Sequence, residues 1–193
     1  MTGSNALNRY GTAVAVGMVV LGVVVAAAGP AAARDPLADQ TTADFQAECG
    51  TSLTKYRGRH HAPALAIDPN LVEYAKSRAQ LISQSAGLSH GHRGLNGHYG
   101  ETLFWTGSVA PELAPCSAAV DNWYRERAFY DPNNPAFSTE TASFTQVVWR
   151  DTTAVGCARA GGMGAQFYET YIVCAYAPPG NIAGSFTENV LAD

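Results

Sequence analysis

Four cysteines constrain this chain more than any other feature: Cys49, Cys116, Cys157 and Cys174. No two stand close enough for a Cys-x-x-Cys metal or redox motif. How such a set is used depends on the compartment, and the N-terminal segment supplies that information. Between Arg9 and Arg34 no residue is charged, and from Thr12 to Ala28 the chain is Ala, Val, Gly, Met and Leu after the initial Thr. The run ends in Gly29-Pro30-Ala31-Ala32-Ala33, which offers a small-x-small cleavage site after Ala33. A basic n-region, an apolar h-region and a processing site make residues 1–33 a secretory signal peptide. The alternative is an uncleaved anchor, because the apolar run approaches spanning length. Export places the cysteines in an oxidising compartment, where an even count favours two disulfides, with three connectivities open. Cys157 and Cys174 sit in strand-like runs around Gly161-Gly162-Met163-Gly164, which favours pairing those two and leaves Cys49 for Cys116. Closing the shorter loop is worth about 3 kcal/mol on the loop-entropy model.

A length of 193 residues suits one ordinary domain behind the leader. The 47% apolar and 15% charged content excludes a disordered tail or a coiled coil. Twelve Lys and Arg against sixteen Asp and Glu give a formal charge of −4, which argues against nucleic acid as a partner. With the leader removed, nothing in the chain is a membrane span, and a monomer is expected.

Hydrophobic spacing gives the coarse elements. Residues 34–41 are short and polar, contain Pro36 and read as a linker, so the folded domain is expected over residues 42–193. Phe45, Cys49, Leu53 and Tyr56 predict a helix from Thr42 to about Arg59. Asp68-Pro69 is a helix start, with Asp as N-cap and Pro at the first helical position. Leu71, Tyr74, Ala75, Arg78, Leu81 and Ile82 then form one stripe, ending at Gly87. Residues 89–100 read as a loop and 102–106 as a strand or buried turn. Ser117 to Tyr130 predicts a third helix, with Ala119, Val120, Trp123, Arg127 and Tyr130 on one face, stopped by Asp131-Pro132. Phe144 to Trp149 fits a short helix or a strand. Residues 154–160 and 167–177 predict a hairpin, with the glycine-rich segment as its turn. Early helices followed by late strands make an α+β domain.

Four segments go further. They are Gly100-Glu101-Thr102-Leu103-Phe104-Trp105, Ala119 to Glu126 followed by Tyr130-Asp131, Ser143-Phe144-Thr145-Gln146-Val147-Val148-Trp149, and Tyr171 to Asn181. In that order and spacing they resemble the CAP superfamily, or SCP domain, of cysteine-rich secretory, antigen 5 and pathogenesis-related class 1 proteins. The resemblance covers about residues 42–186. It implies a three-layer α-β-α sandwich with a central cleft, and it implies the Cys157–Cys174 pair as well.

The family's cleft gathers two His and two Glu. Carried over, one His falls on His90 and the two Glu on Glu101 and Glu126. The second His is replaced by Ser143. A neutral hydroxyl is a poor Zn²⁺ ligand beside imidazole, thiolate or carboxylate, so a metal site built on His90 is weakened. No cofactor is expected, and Zn²⁺ is the one that the resemblance admits. His92 and His98 share the loop of His90 and read as solvent-facing residues that could complete a site only by turning inward. His60 and His61 follow the first helix and could complement its last carbonyls when protonated. Ser143, His90 and a Glu hold the residue types of a hydrolase triad, but no Gly-x-Ser-x-Gly elbow surrounds Ser143, and a triad is a matter of geometry. Ser143 reads more simply as filling the space of the missing His, or as capping the short helix.

The departures extend beyond Ser143. Leu53-Thr54-Lys55-Tyr56-Arg57 stands where relatives carry His-Asn before the Arg, and Thr102 and Ala175 stand where they often carry Asn. The expectation is a secreted, extracellular, non-enzymatic binding or defence-type module. Its ligand would be a sterol, a fatty acid or another lipid, or a cell-wall component. A cleft-based hydrolase or metal-dependent enzyme, and a disulfide-stabilised interaction scaffold, are the alternatives.

Overall fold

The structure, a computed structural model, describes residues 34–85, 87–88 and 97–193. The leader reading therefore lies outside the described residues. Helix α1 covers Ala43–Arg59, and Thr42 caps it by accepting the Phe45 N–H at 3.1 Å. Strand β1 is the short Ala66–Ile67. Helix α2 covers Pro69–Ser83, with Asp68 as N-cap and Pro69 opening the first turn, as the Asp-Pro pair predicts. Strand β2 is Gly100–Ser108, and helix α3 is Cys116–Arg125, followed by a 3-10 turn over Glu126–Phe129. Helix α4 is Ala142–Val148, which resolves the helix-or-strand ambiguity of that segment. Strands β3, Ala154–Met163, and β4, Tyr168–Ala177, precede a terminal turn α5, Phe186–Asn189.

The four strands form one sheet in the order β1-β3-β4-β2, with β1 parallel to β3 and the other pairs antiparallel. Cys157 lies opposite Cys174 in the β3–β4 ladder, and the two are bonded. The second disulfide joins Cys49 of α1 to Cys116 at the start of α3. All four sulfurs lie within 4.8 Å of one another in the core, so one sulfur-rich knot ties two helices beside the central hairpin. They are spent on each other and unavailable to a metal.

One face of the sheet packs against α1, α3 and α4. Leu53, Val120, Trp123, Phe144, Val147 and Ile172 are buried there. The other face packs against α2 through Leu71, Ala75, Ala79 and Ile82, set on Ala158, Ala160, Val173 and Ala175. Helix, sheet, helix is the three-layer sandwich that the resemblance implies. Small residues on β3 let α2 approach closely. A Cβ on Gly156 would overlap the backbone between Leu71 and Val72, so only glycine admits the helix at this distance.

Three local readings differ from the sequence expectation, the first being that the third helix, expected to run to Tyr130, ends at Arg125 and gives way to the 3-10 turn. The glycine-rich segment is not the hairpin turn: Gly161, Gly162 and Met163 belong to β3 and pair with Thr170, Glu169 and Tyr168. The chain reverses later, where the Gly164 N–H reaches the Phe167 carbonyl at 2.8 Å. Gly161 is small because Leu113 packs on it, not because the chain turns there. Residues 34–41 also run as a bound strap. Asp39 bridges to Ala160, and the Gln40 N–H donates to the Arg159 carbonyl at 2.7 Å. A polar composition with a proline suits a sheet edge as well as a linker.

Candidate functional site

Helix α4 organises the site. Its N-cap, Thr141, makes no side-chain capping bond. Glu126 replaces it from the end of α3: one carboxylate oxygen accepts the Ser143 N–H at 2.8 Å and the Phe144 N–H at 3.0 Å. A carboxylate on the first amides of a helix is favourable to the dipole as well as to the hydrogen bonds. Ser143 itself lies inside α4, so it is neither the cap nor a substitute for one.

The next turn of α4 carries Gln146, 2% exposed. Its side-chain oxygen accepts the Gly180 N–H at 2.8 Å, and its amide donates to Thr152 Oγ1 at 3.2 Å. A Cβ on Gly100 would overlap the same amide, so the start of β2 can sit beside it only as glycine. Asn181, held at a left-handed φ of 61°, donates to the Ala142 carbonyl at 2.9 Å and accepts from Thr145 at 2.5 Å. Gln146 and Asn181 thus tie α4, β2 and the segment after β4 together.

These elements enclose a cleft of about 620 Å³, within the range of small-molecule sites. Its wall is largely apolar, with Tyr99, Phe137, Ala142, Pro179 and Ile182, and polar atoms come from Glu101, Thr139, Gln146 and Asn181. Phe137 is 56% exposed and Ile182 50%, so the rim offers apolar surface to solvent.

The carboxylate on this wall already holds a cation. The Arg78 guanidinium donates to Glu101 in fork fashion, Nε at 2.7 Å and Nη2 at 3.0 Å. Side-chain exposure is 5% for Arg78 and 1% for Glu101, so this is a buried, bidentate pair. The hydrogen bond to Glu101 raises the Arg78 pKa against the lowering effect of burial. The signal in the sequence was an arginine inside the apolar stripe of α2.

The sequence-predicted residues are distributed as follows. Glu101 lines the cleft. Glu126 and Ser143 are not among its lining residues, although their neighbour Ala142 is. His90 and His92 lie outside the described residues, and His98 is exposed. Among the described residues no hydrogen bond joins the Ser143 hydroxyl to an imidazole or a carboxylate. One carboxylate is taken by a guanidinium, the other by two amides, and the hydroxyl is neutral. Trp123 and Trp149 are core, with the Trp123 N–H donating to the Leu103 carbonyl at 2.8 Å, while Trp105 is half-buried.

His60 does not complement α1 as a surface cation. Its ring is buried, with Nδ1 at 2.6 Å from the Leu191 carbonyl and Nε2 at 3.1 Å from the Tyr124 hydroxyl. Burial lowers its pKa, against smaller raising effects from Leu191 and Asp193, so the neutral imidazole pins the C-terminal tail.

Comparison with known proteins agrees with this architecture. The family described as "CAP: Cysteine-rich secretory protein family" matches residues 52–176. Secreted protein RBT4 of Candida albicans is 38% identical over 133 residues, covering 68% of this chain and 34% of that protein. Human Golgi-associated plant pathogenesis-related protein 1 is 30% identical over 151 residues, covering 76% of this chain and 92% of that protein. The crystal structure of NaASP2 with Zn²⁺ superposes with a TM-score of 0.59 at 17% identity, covering 79% of this chain and 87% of that one. The chain spans about half or less of the length of the fungal relatives it matches.

Proposed function

Because the chain belongs to the CAP, cysteine-rich secretory protein family, we propose that it is an extracellular, non-enzymatic binding module whose cleft takes an uncharged, mainly apolar ligand of the lipid or sterol class. The observation that carries this reading is the state of the cleft's charge. Glu101 is matched by Arg78 inside the wall, so a ligand meets Tyr99, Phe137, Pro179 and Ile182 rather than a free carboxylate. A cationic ligand seeking the Glu101 carboxylate would have to displace Arg78 from a buried bidentate pair. A neutral one gains apolar burial at roughly 25 cal/mol per Å² and leaves the pair intact. Gln146 and Asn181 are engaged in holding the walls, which leaves Thr139 to orient a single hydroxyl or carbonyl. Relatives named as secreted and a predicted leader support the extracellular placement.

The test is binding of radiolabelled cholesterol and of the neutral lipid monopalmitoylglycerol to the purified, oxidised protein, beside Phe137→Asp and Ile182→Asp. Saturable binding that falls at least tenfold in either variant is expected. Binding unchanged in both, or none with either lipid, overturns the reading. A parallel Zn²⁺ titration by calorimetry, with Ser143→His as comparison, addresses the metal alternative. Tight binding by the unmodified chain would return a metal-dependent role to the front.

A further inference from the structure

At the C-terminal end of α2 a second polar cluster is built around Arg34. Its Nη1 and Nη2 donate to the two oxygens of Glu169 at 3.1 and 2.5 Å, and Nη2 also donates to the Tyr171 hydroxyl at 3.0 Å. Its Nε donates to the Ser83 carbonyl at 2.6 Å. Its backbone N–H donates to the Gln84 carbonyl at 3.2 Å. Glu169 is 4% exposed at its side chain, and Tyr171 is fully buried and donates to the same carboxylate at 2.7 Å. The cluster belongs to a prepared site, not to a chance surface pair. The carbonyl end of α2 carries no basic residue in its own last turn, so the negative pole of that helix is met by Arg34 alone of the residues bonded to Ser83 and Gln84. Ala31-Ala32-Ala33 immediately precedes Arg34 in the sequence.

We propose that this cluster is the receptor for a processed N-terminus: cleavage of the Ala33–Arg34 bond makes Arg34 the first residue, and its new α-ammonium docks on the α2 carbonyl end while its guanidinium docks on Glu169. The step is a hydrolysis by the secretory signal peptidase of the host. Water adds across the amide, Ala33 leaves as a carboxylate and Arg34 keeps the nitrogen, which is protonated. One neutral N–H then becomes a cationic donor set where the helix terminus favours positive charge. The strap that follows is already fastened, Leu37 N–H to Ser83 Oγ at 2.9 Å and Asp39 to Ala160, so the N-terminus arrives ordered. This inference is independent of what the cleft binds.

The full chain with its own leader is expressed in a secreting host, and the secreted protein is analysed by intact mass and N-terminal sequencing. A first residue of Arg34 is expected, and a start elsewhere, or retention of the leader, overturns the proposal. The melting midpoint of that product is then compared with a form retaining Ala33, which keeps the guanidinium but displaces the ammonium. The extended form should melt about 1–3 °C lower at pH 6.5. The gap should close above the usual α-amino pKa of about 8. Equal midpoints at pH 6.5 would reject the ammonium's role even if the start is Arg34.

Discussion

Two buried arginines in this molecule do opposite work. Arg57, on α1, has no exposed surface and no acidic partner among the described residues. Its donors go to backbone carbonyls: Nε to Pro63 at 2.7 Å, Nη1 to Val147 and Trp149 at 2.8 and 2.9 Å, and Nη2 to Thr152 at 2.9 Å. Burial drives its pKa down to about 10, still far enough above neutrality to keep the charge. Arg78, on α2, gives its fork to the Glu101 carboxylate, and its pKa rises. Arg57 fastens the end of α4 and the approach to β3 onto α1. Arg78 neutralises a cleft wall. A guanidinium on carbonyls is a structural rivet, and a guanidinium on a carboxylate removes a net charge from the wall of the neighbouring cleft.

The comparison can be broken most directly at Arg57. Arg57→Met removes the guanidinium from four carbonyls, of which that of Trp149 keeps the Thr152 N–H at 3.2 Å, and we expect a loss of about 4–5 kcal/mol by urea denaturation. Arg57→Lys should recover little, because three donors on a point charge cannot span that fork geometry. A loss below about 1 kcal/mol would mean that water replaces the guanidinium.

The disulfides sharpen the same contrast. Cys49–Cys116 closes a loop of 67 residues on the Arg57 side, and Cys157–Cys174 closes one of 17 within the hairpin. Replacing each pair by Ala should cost about 4 and about 3 kcal/mol respectively. The reverse order would show that the ladder depends on its bond more than the helix pair does.

Arg78→Met should cost about 3 kcal/mol, since it removes the guanidinium from a buried carboxylate. Adding Glu101→Gln should restore most of that loss, which no double variant at Arg57 can do. Failure of the second change to rescue would place the value of Arg78 in packing.

The smallest effect is at His60. Burial lowers its folded pKa, so the folded state favours the neutral ring and the unfolded chain binds the extra proton. This contribution is present above the unfolded value of about 6.5 and declines as pH falls from there through the folded pKa. His60→Gln should flatten that part of the stability–pH profile, followed by urea midpoints from pH 8 to 5. An unchanged slope would assign it to other groups.

The cleft residues show how uneven legibility was. Asp68-Pro69 announced α2, and the Phe45–Cys49–Leu53–Tyr56 spacing announced α1, because caps and apolar periodicity are local signals. Gln146 and Asn181 stood inside recognised segments, yet their tying role depends on Gly100, Gly180 and Ala142 arriving from other elements. Phe137 and Ile182 look like ordinary loop residues until two separate loops meet at one rim.

By itself the sequence determined the helix starts, the hairpin strands, the pairing suited to an oxidising compartment, and the family. Each follows from short-range spacing or from motifs that fold locally. Only the tertiary structure decided that Arg78 neutralises Glu101, that Glu126 caps α4, that His60 is a neutral anchor, and that residues 34–41 lie along β3. Those facts rest on side chains 17 to 131 residues apart meeting in a low-dielectric interior. There, unpartnered charges and amides are costly enough to dictate who pairs with whom.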